Sequence, residues 1–136
     1  MDITLNIAEL VNDIGATYMM GTKSGDTFPP EGKMMLAIEE AFSEMNNTLS
    51  LYISSVTEVA NTSKTYTFNF SPRKAVNKEL SLKSLMHSYV VNGAMARVYA
   101  DMSLPEMAAV YLTKQEAGLA TFRQIVHKKK QPTYED

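Results

Sequence analysis

Residues 48–71 read TLSLYISSVTEVANTSKTYTFNFS, and how this stretch folds decides the architecture. Its second half alternates. Tyr66, Phe68 and Phe70 fall on one side, and Thr65, Thr67 and Asn69 fall on the other, which is the period of a strand. Ser71-Pro72 then stops the pattern. The first half fits two templates. Leu49, Tyr52, Ile53 and Val56 would continue a helical face, whereas Leu49, Leu51 and Ile53 would line one face of a strand. Two arguments favour the strand. The stretch is rich in β-branched residues and serine, which suit a pleated surface. A lone strand at 64–71 would also leave its backbone groups unpaired. With residues 60–64, ANTSK, as a loop, the stretch predicts a β-hairpin over Thr48–Ser71. The rival is a second helix continued through residues 48–58.

Outward from the hairpin, the chain reads as helix. Asp2 to Leu5 is a short strand or an extended arm. Asn6 and Glu9 form a capping box, and Ile7, Leu10, Val11, Ile14 and Tyr18 follow at helical spacing, with Gly21 placed to end the helix. Residues 22–32 are a Gly/Pro-rich loop. Pro30 opens a second helix, whose apolar face holds Met34, Met35, Ile38, Ala41, Phe42 and Met45. Glu39, Glu40 and Glu44 lie largely on its other face. After a polar connection, residues 72–79, a third helix is predicted from about Ser81 to Tyr99. Leu82, Leu85, Met86, Tyr89 and Ala96 form its buried side, and Gly93, Ala94 and Ala96 admit a close neighbour. Ser103 to Glu106 reads as a second capping box, with Pro105 in the first turn. It opens a fourth helix that carries Met107, Val110, Tyr111, Ala117, Leu119, Phe122, Ile125 and Val126 to His127. The short link makes helices three and four an antiparallel pair. The expected core centres on Leu10, Ile14, Ile38, Phe42, Leu85, Tyr89, Val110 and Phe122. The predicted class is therefore α+β, mainly α: four helices with an inserted hairpin at 48–71, one domain over residues 1–129, and a tail at 130–136.

Composition narrows the function classes. The chain has 136 residues, enough for one sizeable core. The formal net charge of −2 gives no field for gripping phosphates. Cysteine is absent, which excludes disulfides and thiolate metal sites. The first ten residues lack the basic and apolar regions of a signal peptide, and no run approaches the ~20 apolar residues that span a bilayer. Ten methionines either fill irregular gaps in the core or make adaptable contacts.

Catalytic patterns are missing from the sequence. His87 and His127 have no carboxylate or serine at a telling offset and belong to no ligand cluster. Glu39, Glu40 and Glu44 read as a solvated face. "GTKSG" lacks the spacing of a phosphate loop. No enzyme, cofactor or metal is expected. Two features are left to explain. The lysine run Lys128, Lys129 and Lys130 either complements the negative end of the fourth helix or meets an acidic partner. The row Tyr66, Phe68 and Phe70 either covers the helices within one core or, because an isolated two-stranded hairpin is marginal in water, faces a neighbouring subunit. The isolation of the hairpin favours the second reading.

The order of elements resembles the head-to-tail adaptor proteins of short-tailed bacteriophages, also called gatekeepers or tail accessory factors. The likeness rests on AELVNDIGAT (8–17), on MMLAIEEAFSEMNNTL (34–49), and on the long stretch LSLKSLMHSYVVNGAMARVYADMSLPEMAAVYLTKQEAGLATFRQI (80–125). It departs from the family in lacking a tryptophan at the end of the second helix and a long C-terminal extension. The resemblance implies a virion structural protein assembled in the host cytoplasm. It implies a homo-oligomeric ring, of about twelve copies, below a portal protein, with tail components beneath and at most transient DNA contact in a central channel. No membrane partner is expected. On this reading Tyr66, Phe68, Phe70, Lys128, Lys129, Lys130 and Tyr134 are the candidate protein-interface residues. The alternative is a small α+β interaction module or dimeric scaffold with no virion role.

Overall fold

The structure is a computed structural model that describes the backbone of residues 2–21, 31–68 and 75–130, and the side chains of residues 2–16, 33–68 and 80–125. Among the described residues there are three strands and four helices: β1 (Asp2–Asn6), α1 (Ile7–Gly21), α2 (Glu31–Thr48), β2 (Ile53–Val59), β3 (Ser63–Phe68), α3 (Ala75–Asp101) and α4 (Pro105–Lys130). The class is α+β and mainly helical, as the sequence predicts.

The hairpin is real but starts later than expected, and it does not stand alone. Helix α2 runs on through Asn46 and Asn47 to Thr48, and turns occupy residues 49–52. The turn between the strands is closed by Thr62 N donating to Val59 O at 2.9 Å. It places Asn61 at φ 57°, a left-handed conformation that asparagine tolerates better than most residues. β1 then pairs antiparallel with β3, so β3 is the centre of a three-stranded sheet in the order β1-β3-β2. The extended N-terminal residues thus satisfy the second edge of β3, a partner the hairpin reading does not anticipate. The chain passes from β1 straight into α1. Asn6 Oδ1 caps this helix by accepting from Glu9 N at 3.2 Å, and Ile7 N donates to Thr62 O at 2.9 Å.

The aromatic row faces inward. Tyr66 and Phe68 are buried in the protomer's own core, which corrects the expectation that they face a neighbouring subunit. Tyr66 stacks on Phe42 of α2 with centroids 6.4 Å apart, and Phe68 meets Phe122 of α4 at 6.2 Å. With Ile3 and Leu5 of β1, they form the apolar floor beneath the helices. β1 supplies the reason. A third strand gives the sheet enough apolar surface to pack on the helices as a layer, so the row needs no second chain. Phe70 lies outside the described residues.

Helix α3 begins at Ala75, earlier than the predicted Ser81; Leu80 is exposed and Leu82 is the first of its described side chains to be buried. The turn between α3 and α4 also differs from its reading as a capping box. Ser103 sits at φ 60°, its N–H donates to Ala100 O at 3.1 Å, and Leu104 N donates to Tyr99 O at 2.9 Å. These are the two bonds of a Schellman motif, so Ser103 closes α3 rather than capping α4. Pro105 is the first residue of α4. Six of the eight expected core residues are buried. Leu85 is half-buried against the core, and Val110 is 46% exposed. Val110 is turned about 100° round the helix from the buried Tyr111, onto the outer face of α4.

Candidate functional site

The antiparallel pair α3–α4 is fixed to α2 by a polar cluster. Gln115 is buried on the inner face of α4. Its Nε2 donates to Glu44 Oε1 at 3.1 Å and to Tyr89 O at 3.2 Å. Glu44 Oε1 also accepts from Tyr89 Oη at 3.2 Å, and Glu44 Oε2 accepts from Arg97 at 3.3 Å. Burial, opposed by a hydrogen bond from Thr48 and helped by the Glu44 charge, raises the Tyr89 pKa above its ordinary value. Gly93 makes room for this cluster. A Cβ there would lie 2.5 Å from Gln115 Nε2 and 3.2 Å from Ala41 Cβ. The close approach expected of the small residues in α3 is thus realised at Gly93, and a buried amide fills it. No spacing rule signals Gln115, whose partners lie 26 and 71 positions away.

A second cluster ties the sheet to α2. Lys64 Nζ lies 3.0 Å from both Glu39 and Glu58, and 4.7 Å from the centroid of the Phe42 ring. Burial works against its charge, but the hydrogen bonds to Glu58 and Glu39 outweigh it and hold the Lys64 pKa above the usual value. Glu39 is therefore a clasp and not merely part of a solvated face. Both clusters are structural: each charged group in them meets an opposite charge on another element of the same chain.

Between α1 and α3 lies an open groove of about 460 Å³, lined by Glu9, Asn12, Asp13, Leu80, Lys83, Ser84 and His87. His87 Nε2 pairs with Asp13 Oδ2 there. The two are 74 positions apart, so no local offset reveals the pair. The groove holds a serine, a histidine and an aspartate, but not the working order of a nucleophilic triad. Among the described residues Ser84 makes no hydrogen bond to His87, and both sit inside α3, whose backbone N–H groups are engaged in the helix and cannot converge on an oxyanion. Among the described residues no group of three metal-ligating side chains comes together, and no helix is long and apolar enough to cross a membrane.

The remaining candidates are surfaces. Met102, Leu104, Val110 and Leu112 are exposed at the turn end of the α3–α4 hairpin. The outer face of α4 continues with exposed Thr113, Ala117, Ala120 and Thr121. Both threonine hydroxyls are already spent on the helix itself, Thr113 Oγ1 on Ala109 O at 3.0 Å and Thr121 Oγ1 on Ala117 O at 3.2 Å. The sheet offers a second surface at β2, where Val56 and Val59 are exposed, with Leu51 just before it 81% exposed. Of the residues singled out in the sequence, Tyr66 and Phe68 belong to neither surface. The backbone of α4 runs through Lys128, Lys129 and Lys130, whose side chains, like the whole of Tyr134, lie outside the described residues. No protein-family model, curated protein or solved structure matches this chain.

Proposed function

We propose that this chain is a head-to-tail adaptor of a short-tailed phage: a protomer of a ring that joins a portal to tail components around a DNA channel. What carries the reading is the order of elements. A capped helix, a second helix, a small sheet hairpin and a long antiparallel helical pair follow one another as in the adaptors that the sequence resembles. The exposed apolar side chains toward the turn end of the α3–α4 hairpin support it, because several large apolar residues exposed in that part of the hairpin suit contacts with neighbours. The mechanism is binding. The buried clusters at Gln115 and Lys64 keep the protomer rigid, while the open surfaces meet ring neighbours, portal and tail.

The test mixes the purified chain with a short-tailed-phage portal protein and examines the product by ultracentrifugation and electron microscopy. The expected result is a ring of fixed copy number seated on the portal. A compact dimer that ignores the portal would instead support the scaffold alternative and overturn the adaptor reading.

A further inference from the structure

The two outer strands of the sheet are unlike. β1 is covered: Ile3 and Leu5 are buried, and α3 packs over the strand. β2 overhangs. Val56 and Glu58 point to the same face as Tyr66 and Lys64, yet both stay exposed, and among the described residues β2 pairs with β3 alone. A free edge of this kind is normally blunted by proline, lysine or a central bulge. β2 has neither proline nor lysine. Its one irregularity lies at its start, between Ile53 and Ser55, and its one charge, Glu58, is held by Lys64.

The register shows what fits this edge. Thr4 and Thr57 both stand opposite Thr65, one on each side, and Thr4 Oγ1 bonds to Thr65 Oγ1 at 2.9 Å. The same level-by-level match places Ile3 and Val56 on either side of Tyr66. Because β1 and β2 are each antiparallel to β3, they run parallel to one another. A copy of the sheet set beside the first, unturned, therefore brings its β1 against β2 with every level in step. Thr4 of the neighbour extends the threonine row past Thr57, and its Ile3 lies beside Val56. No like charges meet, since Asp2 falls beside Ser55 and Leu5 beside Glu58. The neighbour's β1 also arrives with its own α3 above it, which is the cover that Val56 lacks.

From this fit we propose that the free edge of β2 receives β1 of a second copy in parallel register, so that the sheet continues head to tail from protomer to protomer. The contact is heterologous, and a heterologous contact closes into a ring when its rotation permits. The proposal rests on the ring reading and names the contact that builds it. Strand addition supplies backbone hydrogen bonds, and the matched side chains set the register.

The absence of native cysteine makes the test direct. Within one protomer Thr4 and Thr57 are two strand spacings apart, about 9.5 Å, beyond the ~7 Å that a disulfide can bridge. A Thr4→Cys, Thr57→Cys double variant, oxidised at high concentration, is expected to give a ladder of covalent dimers, trimers and larger species on a non-reducing gel. Each single variant stays uncross-linked. Covalent dimers from Thr57→Cys alone would show two β2 edges paired about a two-fold axis, and would overturn the proposal. Assembly by light scattering without any ladder would overturn this contact while leaving the ring intact. A chain that remains monomeric and uncross-linked, with or without its portal, would overturn both.

Discussion

β2 and β3 belong to one hairpin, differ in length by a single residue and are joined by a three-residue turn, yet they live in different surroundings. β3 alternates between half-buried and buried, so that Lys64, Tyr66 and Phe68 all point into the protein. β2 is exposed along nearly its whole length. The difference lies in their place in the sheet rather than in their composition alone. β3 is flanked on both sides and roofed by α2 and α4 through Phe42 and Phe122. β2 lies beyond that roof. An alternating strand announces that one face is apolar; position in the sheet decides whether the chain itself covers that face.

The contrast is broken most severely at Phe68. Phe68→Ala should lower unfolding stability in urea by roughly 3–5 kcal/mol, while Val56→Ala in the neighbouring strand should change it by less than about 0.5 kcal/mol. Equal losses would mean that the two strands share one environment. The helical hairpin offers a parallel contrast between two glycines. Gly93→Ala drives a Cβ against Gln115 and Ala41 and is expected to cost about 1–3 kcal/mol in the same experiment. Gly118→Ala meets nothing within 4 Å, so it should stabilise α4 by about 1 kcal/mol, the ordinary advantage of alanine over glycine inside a helix.

Smaller effects sharpen the picture at buried polar atoms. Tyr66 Oη is buried with no hydrogen-bond partner among the described residues, and burial, with the charges of Glu39 and Glu58, raises its pKa. Tyr66→Phe should therefore stabilise the fold by about 1 kcal/mol at neutral pH. The sign of the pH effect follows from the raised pKa. The unfolded chain gives up this proton near its ordinary value while the folded chain keeps it, so the stability is whole below about pH 10 and declines above it. Lys64, also raised, contributes in the same direction. Alkaline melts of Tyr66→Phe should decline less steeply than those of the parent; identical slopes would show that Tyr66 does not govern the decline. The smallest gain is expected at the α3–α4 turn. Ser103→Gly relieves a left-handed serine and should raise stability by up to about 1 kcal/mol in thermal melts. A loss there would mean that the serine side chain holds the turn.

Local chemistry made much of this fold legible in the sequence. The Asn6 cap, the apolar face of α2, the hairpin and the pairing of α3 with α4 all follow from spacing within one or two turns. What escaped was set by distant residues. Thr4 finds Thr65 and His87 finds Asp13 across more than sixty positions, and no periodicity encodes such pairings. The direction of Tyr66 and Phe68 escaped for the same reason, since it depends on β1 joining the sheet. Ser103 was misread because its sequence, S-L-P-E, satisfies the rule for starting a helix, while the geometry uses the serine to finish the previous one. Val110 was misplaced because Ala108, Tyr111 and Gln115 claim the buried face, and a buried glutamine is a poor signal of a core face. The surfaces were the least legible part, because exposure is a property of what fails to arrive beside a residue.

The junction at which β1 turns into α1 also bears on how the chain reaches this shape. β2 and β3 meet across a three-residue turn, a closure that takes microseconds. α3 and α4 likewise fold on their nearest neighbour. β1 has no local partner: its hydrogen-bonding strand lies some sixty residues onward, and joining them closes a long loop that spans α1, α2 and the hairpin. On a ribosome β1 emerges ahead of β3 and would wait, unpaired, until β3 had followed it out. Folding rate should then depend on the β1–β3 seam more than on the longer helical hairpin, so substitutions along Ile3 and Leu5 should slow refolding, while those at the α3–α4 turn should act on the rate of unfolding.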